Sequence, residues 1–229
     1  MFKTETHCHT NAVSRCASQT PKQQIEAYIE CGYSTVIITE HFSDSSFEHI
    51  EGDWKNKIDH FLSGYKKAKE AAKGRIEVLL GMELRNIYNA NDYLVYGITE
   101  EFLYKYNNND ENFLEMTIET FSDIAHENDV LLFQAHPFRN YMTITDHNIL
   151  DGIEVYNGCV RHMSRNDICE MWAKKYNLLR NSGSDAHHED DWGRGGFITQ
   201  QKITNNKQLV EEMKRKPQLI ITAEGFLYK

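Results

Sequence analysis

Ser34-Thr35-Val36-Ile37-Ile38-Thr39-Glu40-His41 decides how the rest of the chain is read. Its centre is a continuous β-branched run with no polar alternation, the pattern of a strand covered on both faces. The run then delivers Glu40 and His41, two groups able to hold a metal ion. Just upstream, Thr20 can cap a helix, Pro21 suits its first position, Gln23 sits where a capping-box partner belongs, and Gly32 supplies the stop. Helix followed at once by a buried strand is half of a βα repeat.

Working outward, the same rhythm recurs. Strands are expected at Ile76–Leu80, Tyr93–Gly97, Val130–Gln134, Gly152–Tyr156 and Leu178–Asn181, with a last one at Leu219–Thr222. Helices are expected at Asp53–Ala72, Asn112–Glu127, Arg165–Lys175 and Asn205–Lys214, and Asn107-Asn108-Asn109-Asp110 reads as a loop. No linker or repeat divides the sequence, so one domain over 1–229 is expected. The even spacing favours an α/β barrel over an open sheet.

Composition narrows the function classes. The 229 residues carry 25 Lys+Arg against 34 Asp+Glu, a formal net charge of −9. That balance disfavours a grip on long nucleic acid, where basic residues supply most of the affinity. No apolar run is long enough to span a bilayer. The N-terminal MFKTETHCHT is too polar for a secretory core. Cys8, Cys16, Cys31, Cys159 and Cys169 are odd in number and form no CxxC pair. They are expected to be incidental thiols of a reduced, cytoplasmic protein.

The chemistry lies at the strand ends. One strand ends in Thr6-His7-Cys8-His9-Thr10, the next in Thr39-Glu40-His41, another in Gly81-Met82-Glu83. Later ones run into Ala135-His136-Pro137 and Ser182-Gly183-Ser184-Asp185-Ala186-His187. In a barrel of parallel strands all these ends open onto one face. Side chains alternate along extended backbone, so His7 and His9 share a side, as do Asp185 and His187. Imidazoles and carboxylates together suit Zn²⁺, Mn²⁺ or Fe²⁺, and a carboxylate such as Glu83 can bridge two ions. A lone HxH is common, and Asp185 with His187 could simply cap a helix; the conjunction at five strand ends is what points to metal. His49, His60, His126, His147 and His162 lack that context and are expected on the solvated surface; His188 lacks it too, but adjoins the site in sequence and stays open.

THCHT, ITEH, GMEL, AHPF and SGSDAH, in this order, resemble the PHP family, named for its polymerase and histidinol phosphatase members. The resemblance implies a distorted (β/α)₇, TIM-like barrel and a stand-alone phosphoesterase using two or three divalent ions. It makes His7, His9, Glu83 and Asp185 ligands of one ion, with Glu83 bridging to a second held by His136, and His41 and His187 holding a third. Two positions depart from the family pattern: Arg15 and Ile98-Thr99 stand where further ligand histidines would. Water, substrate or Glu154 could fill those gaps, so one to three ions are expected.

The expected reaction is hydrolysis of a small phosphomonoester or phosphodiester by metal-bound hydroxide, with Glu83 and Asp185 as the catalytic carboxylates. No GxSxG nucleophile elbow is present. Arg15, Arg139 and Arg161 are the candidate phosphate-binding residues, with Arg85 a further one, because a guanidinium matches phosphate in a bidentate fork. Tyr156 and Asn157 are further candidates for substrate contact. A metal-dependent amide or lactone hydrolase on the same barrel, or a non-catalytic metal-stabilised module, are the alternatives.

Overall fold

The computed structural model describes residues 1–222, so positions 223–229 of the expected domain lie outside the described residues. The chain opens with β1 (Phe2–Cys8), α1 (Pro21–Glu30) and β2 (Thr35–Ile38). Next come the two-residue β3 (His41–Phe42), the one-turn α2 (Asp44–Phe47), the long α3 (Trp54–Ala72), β4 (Glu77–Leu84) and β5 (Tyr93–Tyr96). The second half holds α4 (Glu100–Tyr106), α5 (Ile118–Glu127), β6 (Leu131–Gln134), β7 (Gly152–Asn157), α6 (Asn166–Tyr176) and β8 (Leu179–Gly183). A 3₁₀ turn at Glu189–Asp191 leads into β9 (Phe197–Thr199), α7 (Asn206–Lys214) and β10 (Gln218–Leu219).

Local chemistry explains most of these boundaries. The Thr20–Gln23 capping box forms at the start of α1, and Asp53 and Asn205 cap α3 and α7. The helix expected from Asn112 starts only at Ile118. The Asn112 side chain accepts from the backbone N–H groups of Leu114 and Glu115 instead, which favours a turn over helix. Beneath the sheet, Ile58, Phe61 and Leu62 of α3 share a buried cluster with Leu80 and Met82 of β4. Burying one such side chain contributes about 1.5–3 kcal/mol.

The strands run in the order β10-β9-β1-β2-β4-β5-β6-β7-β8, with β3 paired to β4. The end of β1 and the segment that follows β8 meet. Cys8 and Ala186 form a parallel bridge, His9 N donates to Ala186 O at 3.0 Å, and Ala186 N donates to His7 O at 3.1 Å. The result is an α/β fold with a nearly closed, barrel-shaped sheet.

Two strands depart from the expected parallel barrel: β9 runs antiparallel to β1 and β10, and β5 departs next to the site. β5 runs antiparallel to both β4 and β6. The connection from β4 to β5 is residues 85–92 and contains no helix. A parallel return needs a crossover of a dozen or more residues, so a link this short reverses the chain. The start of β5, rather than its end, therefore opens on the face where β1, β2, β4, β6, β7 and β8 terminate. Among the described residues no helix is long and apolar enough to cross a membrane.

Candidate metal centre

All seven side chains expected to bind metal converge on that face. Their donor atoms form three overlapping groups, each mutually within 4.8 Å: His7, His9 and Asp185; His7, Glu83 and His136; and His9, His41 and His187. His7, His9, Glu83, His136 and Asp185 are buried. Two of the seven have backbone in the left-handed region, His136 at φ 29° and Asp185 at φ 51°. Strain of this kind costs on the order of 1–3 kcal/mol and persists where surrounding contacts hold it.

The outer contacts decide which nitrogen of each central histidine faces the cluster. His7 Nδ1 lies 2.8 Å from Glu154 Oε1. Ser14 Oγ donates to Glu40 Oε2 at 2.6 Å, which leaves its lone pairs to accept from His9 Nδ1 at 3.2 Å and from His41 N at 3.0 Å. Each ring thus points Nε2 inward, and both Nε2 atoms are buried without a hydrogen-bond partner. Such outer bonds are how proteins orient metal-binding histidines.

Four of the inner distances are of the size found between ligands of one ion. His7 Nε2 is 3.2 Å from Glu83 Oε1 and 3.4 Å from Asp185 Oδ1. His9 Nε2 is 3.2 Å from Glu83 Oε2 and 3.6 Å from the same Asp185 oxygen. Ligands ~2.0–2.1 Å from a central ion stand ~3.3–3.4 Å apart along the edges of a tetrahedron. The donor set fits a divalent ion in both chemistry and spacing. His136 Nε2 lies 3.2 Å from Glu83 Oε1, and His41 Nδ1 lies 3.0 Å from Glu83 Oε2. Glu83 therefore has neighbours suited to a bridging carboxylate.

With protons in place of ions, the same charges polarise one another. Burial would push Glu83 and Asp185 up, but the surrounding imidazoles hold both well below the usual carboxylate range, helped for Asp185 by Arg139. Burial would lower His7 and His41, yet the neighbouring carboxylates raise both well above an ordinary histidine. His9 is lowered by its burial and by the positive rings of His187 and His41.

The sequence profile of the PHP domain matches residues 5–227. The chain belongs to the PHP domain family. Solved structures share its fold. A two-domain Bacteroides vulgatus protein containing a predicted PHP-like metal-dependent phosphoesterase is 18% identical, with a TM-score of 0.65 over 95% of this chain. This chain spans 63% of that protein. A Bifidobacterium adolescentis protein described as a candidate metal-dependent phosphoesterase is 15% identical, with a TM-score of 0.54 over 97% of this chain and 98% of its own. An amidohydrolase from Chromobacterium violaceum, with bound sulfate and no metal, is 13% identical, with a TM-score of 0.56 over 92% of this chain and 96% of its own. At such identities the likeness is one of fold. Comparison with curated protein sequences finds no significant match.

In this PHP domain His41, Glu83, His136, Asp185 and His187 line a cleft of about 570 Å³ that also takes in Arg15, Arg85, Arg139 and Arg161. Each of these arginines already has an acidic partner. Arg139 Nη2 donates to Asp185 Oδ2 at 2.9 Å, Asn157 Oδ1 at 3.0 Å and Ser164 Oγ at 3.2 Å, while its Nε is buried without a partner. Arg161 holds the buried Asp191 through both oxygens, Arg85 holds Asp92 likewise, and Arg15 pairs with the exposed Glu48.

Several expectations need correcting. Tyr156 donates its hydroxyl to Thr222 O at 3.0 Å and is absent from the cleft lining. Asn157 is buried as a brace, its amide donating to Glu154 Oε2 and Asp185 Oδ2. His162, expected on the open surface, lines the cleft, as does His188, whose place next to the site in sequence leaves it open. Thr99 caps α4 at the opposite end of β5 from the site, so no ligand could come from Ile98-Thr99. Asp92 occupies the site end of β5 instead, its Oδ2 3.9 Å from His136 Nε2. It went unrecognised because β5 was read as parallel. Cys16, read as an incidental thiol, also lines the cleft. Burial pushes its thiol up, but the neighbouring His187 and His41 outweigh that and bring it down to about 6. A cysteine seven positions after an HxH pair was the available signal.

Proposed function

We propose that the chain is a metal-dependent phosphoesterase acting on a small phosphomonoester or phosphodiester. The convergence of His7, His9, Glu83 and Asp185 beside an arginine-bearing cleft carries this reading. His7, His9, Glu83 and Asp185 would hold one ion, Glu83 and His136 a second, and His41 and His187 a third, drawn from Zn²⁺, Mn²⁺ or Fe²⁺. Bound there, one to three such ions would lower the pKa of water and offset charge on phosphoryl oxygens.

The chain's own residues do the rest. Glu83 and Asp185 are the catalytic carboxylates, both set among the histidines, with Asp185 also held by Arg139 and Asn157. Arg139 brings its charge to the cleft for a phosphoryl group, and Arg15 and Arg161 add positive potential at the rim. The cleft's size suits a small ligand, and the net charge of −9 disfavours long nucleic acid. Five unpaired cysteines suit a reducing, cytoplasmic setting.

The test is steady-state turnover of a generic phosphomonoester, a phosphodiester and a lactone, by chelator-stripped protein and after adding back Zn²⁺ or Mn²⁺. Metal-dependent release of phosphate or alcohol from the esters supports the proposal. Turnover of the lactone alone would replace it. Bound ions with no turnover of anything would favour a non-catalytic module.

A further inference from the structure

Glu40 precedes His41 at a strand end, yet it joins none of the three donor groups and does not line the cleft. It is 1% exposed, and its partners all come from the segment that follows His9. Oε2 accepts from Thr10 N at 3.1 Å and from Ser14 Oγ at 2.6 Å, while Oε1 accepts from the Thr10 hydroxyl. No lysine or arginine is among these partners. A buried carboxylate without a cation beside it is costly, and hydrogen bonds offset only part of that cost. A glutamine of the same shape would avoid it, so the charge itself calls for a reason.

The reason lies in the direction of one proton. A serine hydroxyl has one hydrogen to give and two lone pairs to accept with, and an ionised carboxylate can only accept. Ser14 must therefore give its hydrogen to Glu40. Its lone pairs then take the N–H groups of His9 Nδ1 at 3.2 Å and of His41 N at 3.0 Å. His9 is left with its proton on Nδ1 and a bare Nε2, the form a metal ion needs. A side-chain amide at position 40 would allow the opposite order. The amide could give to Ser14, Ser14 to His9 Nδ1, and the ring proton would move to Nε2, where it excludes an ion.

Gly64 shows that the fold makes room for this carboxylate. It is buried in the middle of α3, where glycine is a poor helix former. A Cβ there would come within 2.9 Å of Glu40 Cδ and 3.0 Å of its Cγ, and closer still to Oε1.

We infer that Glu40 is a positioning residue: through Ser14 it fixes the His9 proton on Nδ1 and so presents Nε2 to the first ion. This rests on the metal-hydrolase reading above. Glu40 touches neither ion nor substrate, and its whole effect passes through the direction of the Ser14 hydroxyl.

Nitrogen NMR of the histidine rings, together with chelator competition for Zn²⁺, tests it. In stripped wild-type protein, neutral His9 should carry its proton on Nδ1. Glu40→Gln should shift part of the population to the Nε2–H form and release Zn²⁺ about 10-fold more readily. Stripped Glu40→Gln should melt no lower than stripped wild type, because an unpaired buried charge is gone; a residue that merely held the fold would lower that temperature. Gly64→Ala, which touches no ligand but displaces Glu40, should weaken Zn²⁺ retention in the same direction. Unchanged retention in Glu40→Gln, a marked fall in its stripped melting temperature, or a wild-type His9 protonated on Nε2 would each overturn the assignment while leaving the hydrolase proposal intact. Failure of the wild type to hold Zn²⁺ at all would overturn both.

Discussion

His7 Nδ1 and Glu154 Oε1 stand 2.8 Å apart, wholly buried, and this contact leaves only Nε2 of His7 free for an ion. Glu154 Oε2 meanwhile accepts from His136 N at 3.0 Å and from Asn157 Nδ2 at 2.9 Å. One carboxylate thus braces two expected ligands. Glu154→Ala should weaken metal retention by about 10–100-fold, the usual cost of losing an outer-sphere partner. Glu154→Gln should recover part of it. A competitive chelator titration measures both.

The arginines should separate by their present partners. Arg139→Ala removes a buried charge beside Asp185 and should lower kcat/KM on a phosphate ester by about 10–100-fold, the scale of one or two charge-assisted hydrogen bonds. Arg15, 63% exposed and paired with an exposed Glu48, should change it by less than about fivefold when replaced by alanine. Arg161→Ala strands the buried Asp191, so its effect should appear in Tm more than in KM. Parallel kinetics and melting curves on the three variants read this out.

Gly183 ends β8 against the site. A Cβ there would lie 2.4 Å from His7 Cβ and 2.8 Å from Glu154 Oε1. Gly183→Ala should therefore destabilise the fold by about 1–3 kcal/mol, as overpacking does, and shift His7 off its ion. Denaturant unfolding and metal content should both report the loss.

Removing the ions should alter how stability depends on pH. In stripped protein, burial lowers His187, but Asp185 and Cys16 outweigh it and raise the imidazole from 6.5 to about 10. A histidine raised on folding contributes stability that is complete below the unfolded value and lost as pH climbs through the folded one. Stripped protein should therefore lose stability between roughly pH 6.5 and 10. Metal binding must displace those protons, so loaded protein should gain affinity across the same range. The Tm gap between loaded and stripped samples should widen with rising pH, and metal addition near neutrality should release protons.

Residues whose chemistry is local were legible in the chain. The β-branched run at Val36–Ile38 formed its strand, Thr20 and Gln23 formed their capping box, and the strand-end histidines met. Harder to read was whatever depended on strand direction. The strand at Tyr93–Tyr96 was recognisable by composition, but its polarity was set by the helix-free link before it, and that polarity moves the relevant residue from Thr99 to Asp92. Cys16 was hidden for a similar reason: only the pinned loop between Asn11 and Gln19 brings it into the cleft that His41 and His187 also line. α4 and β9 were missed because a seven-residue helix and a three-residue strand carry too little periodicity to register.

The central claim is that His7, His9, Glu83 and Asp185 surround one divalent ion. Anomalous diffraction from crystals grown with Zn²⁺ or Mn²⁺, collected on both sides of the metal's absorption edge, tests it most directly. The account requires an anomalous peak among the two Nε2 atoms and the Glu83 and Asp185 oxygens, at bonding distance from all four residues. A fully loaded crystal with its peaks elsewhere, and those four side chains joined only to one another, would contradict it.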